Sequence, residues 1–378
     1  MRYLLATFLL GLLVALHELG HLVSARLCRM KVESFAVGFG PPLLAFRRRG
    51  VHYSLRAIPF GGFVRIAGMA PATEIQPAPG SFTSRPRWQR AVVLVAGSLA
   101  NALCAVALLF GLYHGGYRVP VPNTVGEVAP GSEAARVQLR PGDVVMAVDG
   151  QPLRDWSALA EAVAERGGPL ALTIRRGEQV LEVRATPRPD EEGIPRLGVA
   201  QLYAFRSLTN AEAAGYAFRH SVALAWDGLK ATWALLRGQP GVSLMGPIGI
   251  ARRTAEASAT GFEPMLGLLA AISIALAVFN LLPVPGLDGG RLLFLGIAGI
   301  RGKPADPRVE AVASALGMLL LFGAAIWVSV RDVRGRAREP GPAPAEVDAG
   351  AGVDGGVDAG ADAGAAPDAG ARAGDAGG

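Results

Sequence analysis

The stretch YLLATFLLGLLVALHELGHLVSA, residues 3–25, runs almost wholly apolar as far as Leu16, then carries His17, Glu18 and His21 before turning apolar again. At about 1.5 Å per residue it is long enough to cross roughly 30 Å of hydrocarbon. Met1, Arg2 and the apolar run imitate a signal peptide, but a cleavage site needs small residues where these ionisable ones stand, so the segment is expected to be retained. Three further apolar runs lie at 91–113, 265–287 and 311–330. Composition agrees: of 378 residues 51% are hydrophobic and only 18% charged, too apolar for an ordinary soluble enzyme. The expectation is an α-helical polytopic membrane protein with four transmembrane helices.

HELGH fits the HExxH pattern, in which two imidazoles four residues apart share a helical face and can grip one zinc ion, with Glu18 beside them as candidate base. Alone the pattern is weak and also describes a polar helix face. Inside a spanning helix, however, such a cluster is costly to keep and is a functional site by default. Counting from Tyr3 puts His17 roughly 21 Å and His21 roughly 27 Å along the helix, near its far end. Catalytic zinc takes a third protein ligand and leaves one position open. Asp288 closes the run FNLLPVPGLDGGR (279–291) at the inner end of the third apolar segment, which crosses in the same direction as the first and so reaches a matching depth. Pro283 and Pro285 cannot continue a regular helix, and irregular backbone is tolerated at membrane depth where it lines a wet cavity. The competing reading of Asp288 is an ordinary helix-end carboxylate. His52, His114 and His220 lack metal spacing and read as structural or solvated.

Residues 22–90 hold eleven Lys and Arg against Glu33 and Glu74, which predicts a cytoplasmic loop. Residues 114–264 hold 16 basic and 16 acidic residues and are expected outside. Arg291, Arg301, Lys303 and Arg308 return the next connection to the cytoplasm and leave both termini external. Arg331, Arg334, Arg336 and Arg338 disagree, and the larger loop decides. The net charge of +6 therefore reflects membrane orientation, and no nucleic-acid partner is expected. Cys28 and Cys104 form no disulfide framework.

Within 1–121, between the first two helices, SFAVGF, VHYSLRAI and GFVRI read as a β-hairpin region whose edge pairs with an opened substrate or merely caps the bundle. Residues 122–200 read as a small α/β domain in which LRPGDVVMAVDG resembles the PDZ signature; Val137 and Gln138 stand where such domains commonly have Ala and Gly. Its role is either peptide binding or a size filter. Residues 201–264 read as external amphipathic helices resting on the bundle or membrane, or docking that domain. Residues 265–335 hold helices three and four with the LDGG motif, and 336–378 an Ala, Gly and Asp tail expected to be disordered.

HELGH, GSLAN at 97–101 and FNLLPVPGLDGGR, with GFGP at 38–41, PFGGFVRIAGM at 59–69 and GPIGIA at 246–251, together resemble the site-2 protease family of intramembrane zinc metalloproteases, in its regulator-of-sigma-E group. The resemblance implies that His17, His21 and Asp288 bind Zn2+, that Glu18 activates water, and that Asn280 helps hold the substrate backbone. It also implies a multi-pass protein of the plasma (inner) membrane that cuts transmembrane segments of single-pass proteins, anti-sigma-factor-like ones first and remnant signal peptides second. Ser98 departs from the Pro frequent in the second motif. The alternative class is a catalytically silent membrane scaffold that binds helices and presents the PDZ-like domain.

Overall fold

The computed structural model describes residues 2–69, 78–166, 168–190, 193–237, 246–303 and 306–335. The tail expected to be disordered, Glu74, Arg336 and Arg338 lie outside the described residues. In chain order the elements are α1 (Arg2–Leu27), β1 (Val32–Arg48), β2 (Val51–Ile66), α2 (Arg87–Gly115), β3 (Tyr117–Val128), α3 (Glu133–Arg136), β4 (Val144–Val148), β5 (Gln151–Pro152), α4 (Trp156–Arg166), β6 (Leu170–Arg176), β7 (Gln179–Ala185), β8 (Arg188–Pro189), β9 (Pro195–Arg196), β10 (Val199–Arg206), α5 (Asn210–Leu236), α6 (Pro247–Thr260), α7 (Phe262–Leu281), α8 (Asp288–Arg301) and α9 (Pro307–Gly335).

Among the described residues four helices are long and apolar enough to cross a membrane: Tyr3–Leu27, Arg87–Gly115, Phe262–Leu281 and Pro307–Arg331. They match the four expected spans, with one difference. The third ends at Leu281, six residues before the expected Leu287, because Pro283 and Pro285 remove the N–H groups the next turn requires. Asp288 is accordingly the first residue of the separate helix α8, a helix the apolar pattern did not reveal.

β1 and β2 form a doubled hairpin between α1 and α2. Residues 34–37 of β1 are flanked on both sides, by 62–65 and by 52–55 of β2, while 44–48 pair only with 51–55. The base of this sheet joins the bundle through a shared core of Leu22, Ala25, Val32, Val51, Ile66, Val93 and Leu94. Hairpin and β-rich domain lie at opposite ends of α2, which at 29 residues is roughly 43 Å long.

The β-rich domain leaves α2 through β3 and returns through β10. Tyr117 faces Arg206 and Val119 faces Ala204, so the two strands make a paired stalk beginning directly above the bundle. The six-stranded sheet runs β10-β3-β4-β6-β7 with β5 on β4. Leu170, Leu172 and Ile174 alternate inward on β6, as period-2 patterning requires, and meet Leu159 and Val163 from one face of α4. Beyond the stalk, α5 starts at a capping box made by Thr209 and Glu212. It is one 27-residue helix whose Ala213 and Ala217 pack with Ala105, Leu109 and Tyr113 of α2 and Ala270 and Ile274 of α7.

Candidate metal centre

α1 is continuous through HELGH because no residue there breaks a helix, and its 3.6-residue turn stacks His17 and His21 on one face. Both rings are buried, at 6% and 3% exposure. They meet edge to face, with centroids 4.7 Å apart and planes at 81°. α2 crosses directly behind them at Gly97, where an added methyl group would collide with His17 Nε2 and His21 Nε2. A small residue here is thus a condition for the site.

Asp288 arrives from the break after α7. Gly289 and Gly290 lie against the carbonyls of Leu281, Leu282 and Val284, so that α8 folds back onto the segment that precedes it. The turn brings Asp288 Oδ2 within 3.1 Å of His17 Nε2 and 3.1 Å of His21 Nε2, and the two Nε2 atoms are themselves 3.1 Å apart. Among the described residues this trio is the group of His, Cys, Asp and Glu able to hold a metal ion.

The donor set fits zinc. Tetrahedral bonds of about 2.0–2.1 Å place ligand atoms roughly 3.3 Å from one another, close to the spacing of these three. The tautomer fits as well: His21 Nδ1 lies 2.7 Å from the Val93 carbonyl, which can only accept, so a neutral His21 carries its proton on Nδ1 and turns the Nε2 lone pair toward Asp288. With the His21 lone pair, His17 Nε2 and a carboxylate oxygen converging on one point, a divalent cation would satisfy all three.

The Val64 N–H donates to Glu18 Oε2 at 2.9 Å. That N–H belongs to the outer edge of β2, so residues 62–66 run along the flank of α1 beside the trio. Val64, Val93 and Gly97 were not legible as site residues, since two act through backbone atoms and the third through having no side chain. Asn280 lies in the last turn of α7, half-buried, with its Nδ2 donating to Leu276 O on its own helix at 3.0 Å. The other histidines stand apart from the trio: His52 is exposed, His114 stacks on Phe110, and His220 bonds the Tyr113 hydroxyl at 2.6 Å.

Residues 5–324 match the family described as Peptidase family M50. A protein of Fusobacterium nucleatum subsp. nucleatum named "Putative zinc metalloprotease" is 31% identical over 340 residues, covering 88% of this chain and 98% of its own. One of the same name from Synechocystis sp. is 36% identical over 346 residues, covering 87% of this chain and 93% of its own. Among solved structures, the PDZ domain of the SdrC-like protein from Listeria innocua is similar at 20% identity and a TM-score of 0.20, covering 21% of this chain and 93% of that one.

Proposed function

Because this chain belongs to peptidase family M50, we propose that it is a multi-pass membrane zinc metalloprotease that hydrolyses peptide bonds in or near the transmembrane segments of single-pass proteins. The observation that carries the reading is the convergence at 3.1 Å spacing of Asp288 on His17 and His21, which lie in an apolar helix long enough to cross a membrane. These three residues would hold zinc, and the bound ion would polarise the scissile carbonyl and acidify water. Glu18 is the general base: the Val64 N–H occupies Oε2 and orients the carboxylate, leaving Oε1 to take a proton from the attacking water and return it to the leaving amine nitrogen.

A substrate helix shields its peptide bonds and must be opened before attack. The outer edge of β2 at 62–66 lies beside Glu18 and supports a strand-addition mode for the opened segment. Asn280, at the lower end of α7, is assigned to the substrate backbone and must turn from Leu276 O to reach it. The basic loop at 22–90 supports a cytoplasmic hairpin end and a PDZ-like domain outside the plasma membrane, where its stalk would hold it as a filter against substrates with bulky external domains. The resemblance to the regulator-of-sigma-E group supports an anti-sigma-factor-like substrate already shortened outside, with remnant signal peptides as a second class.

Purified protein is expected to contain one zinc per chain and to cut a co-reconstituted single-pass peptide within its apolar stretch. Cleavage confined to soluble peptides, or activity indifferent to zinc removal, would overturn the proposal.

A further inference from the structure

Three buried polar groups are left without a role by everything above. Asn101 is fully buried and Ser98 is 1% exposed. Neither amide atom of Asn101, nor Ser98 Oγ, nor His17 Nδ1 bonds to any described residue. In an apolar bundle an unpaired polar group is costly, and buried polar atoms are as a rule satisfied by protein or ordered water.

Helix register brings the three together. His21 bonds the Val93 carbonyl, Gly97 lies against both histidines, and Gly20 of α1 packs against Ala96 and Ala100 of α2. His17, three residues before Gly20 on a helix antiparallel to α2, is therefore level with the turn that follows Ala100. That turn carries Asn101, four residues beyond Gly97 on the same face, with Ser98 adjoining. α7 closes the remaining side, since Ser273 Oγ donates to the Asn101 carbonyl at 2.8 Å.

The geometry points to a buried hydration site: Ser98 and Asn101 hold one water that accepts the His17 Nδ1–H, making them positioning residues for that imidazole. The requirement comes from His17 itself. To offer Nε2 as a ligand it must carry its proton on Nδ1, and metal-ligating histidines almost always give that proton to an acceptor. His21 has the Val93 carbonyl; His17 has no such partner among the described residues. A buried water needs two to four polar partners, and His17 Nδ1, the Asn101 amide and the Ser98 hydroxyl supply three.

The inference rests on the proposed ligand role of His17, and two measurements separate its fate from that of the function. An experimental density map of the zinc-loaded full chain that resolves ordered solvent is expected to show a water bonded to His17 Nδ1 and to Asn101 or Ser98; a direct protein partner for His17 Nδ1, or no water there, overturns the site whatever the variants do. Zinc affinity by chelator competition is expected to fall roughly 10- to 100-fold in Asn101→Leu, and less in Asn101→Ser, which keeps a hydroxyl to bind water. Wild-type affinity in a folded Asn101→Leu overturns the positioning role, and Ser98→Ala gives the same reading if Asn101→Leu does not fold. Wild-type protein that binds no zinc sinks the metalloprotease reading instead.

Discussion

The bundle and the β-rich domain bury ionisable groups in opposite ways. Among the described residues of the domain each buried carboxylate meets a guanidinium: Glu133 (2% exposed) is held by Arg136, with Arg188 nearby and the Thr186 N–H donating to it, and Asp143 (1% exposed) accepts from Arg176 and from the Arg140 N–H. In the bundle Asp288 meets two imidazoles whose ring nitrogens face it and each other. Complementary burial is finished and structural. Convergent burial waits for a cation, and it is the arrangement that marks a site.

The sharpest way to break that contrast is Glu18→Gln, which keeps shape and removes the base. Cleavage should fall about 10²- to 10⁴-fold while zinc content, read by elemental analysis, stays at the wild-type level. Normal cleavage would remove Glu18 from the general-base role. Asp288→Asn should instead lower zinc retention against a chelator together with cleavage, because a neutral amide is a weaker ligand for a dication than a carboxylate. Should Asp288→Asn keep zinc as the wild type does, the convergence drawn above is coincidental.

Gly97→Ala asks whether convergence depends on helix approach. Its methyl group would push on both imidazoles, so zinc affinity should drop roughly 10- to 100-fold with helix content by circular dichroism unchanged. On the complementary side, Glu133→Gln should cost about 1–2 kcal/mol of local stability, read by hydrogen exchange of the domain amides, with zinc untouched.

The same carboxylate predicts a pH dependence. Arg136 foremost, then the Thr186 N–H and Arg188, outweigh burial and hold the Glu133 carboxyl down at about 2 from an ordinary 4.5. A folded-state value below the unfolded one means the contribution is complete above pH 4.5 and is lost as pH falls toward 2. Domain protection should therefore decline in that window in the wild type and less in Glu133→Gln. Asp143 acts in the same direction: burial alone would raise it, but Arg176 and the Arg140 N–H bring it below the usual carboxylate range.

The smallest effect concerns Gln138, whose φ of 59° lies in the left-handed region. Gln138→Gly removes that strain at some cost in chain entropy, for a net gain of less than about 1 kcal/mol. The Arg176 bond to its carbonyl is retained. A loss of stability would show that the Gln side chain contributes more than its backbone costs.

Local patterns carried far in this chain. Four spans were readable because length and apolarity are summed over twenty residues or more, and HELGH because a spacing of four is itself a statement about one helical face. The small α/β character of residues 122–200 was readable too, and the structure shows the alternation beneath it at Leu170, Leu172 and Ile174. What the sequence determined by itself is therefore which segments leave water and which residue types travel with them. Only the tertiary structure decided that Asp288 begins a new helix folded back through Gly289 and Gly290, that β2 lends Glu18 a backbone N–H, and that Val93 and Gly97 set the tautomer and clearance of the histidines. The physical reason is that these are contacts between backbone atoms, or spaces where side chains are missing, and neither leaves a periodic trace along the chain.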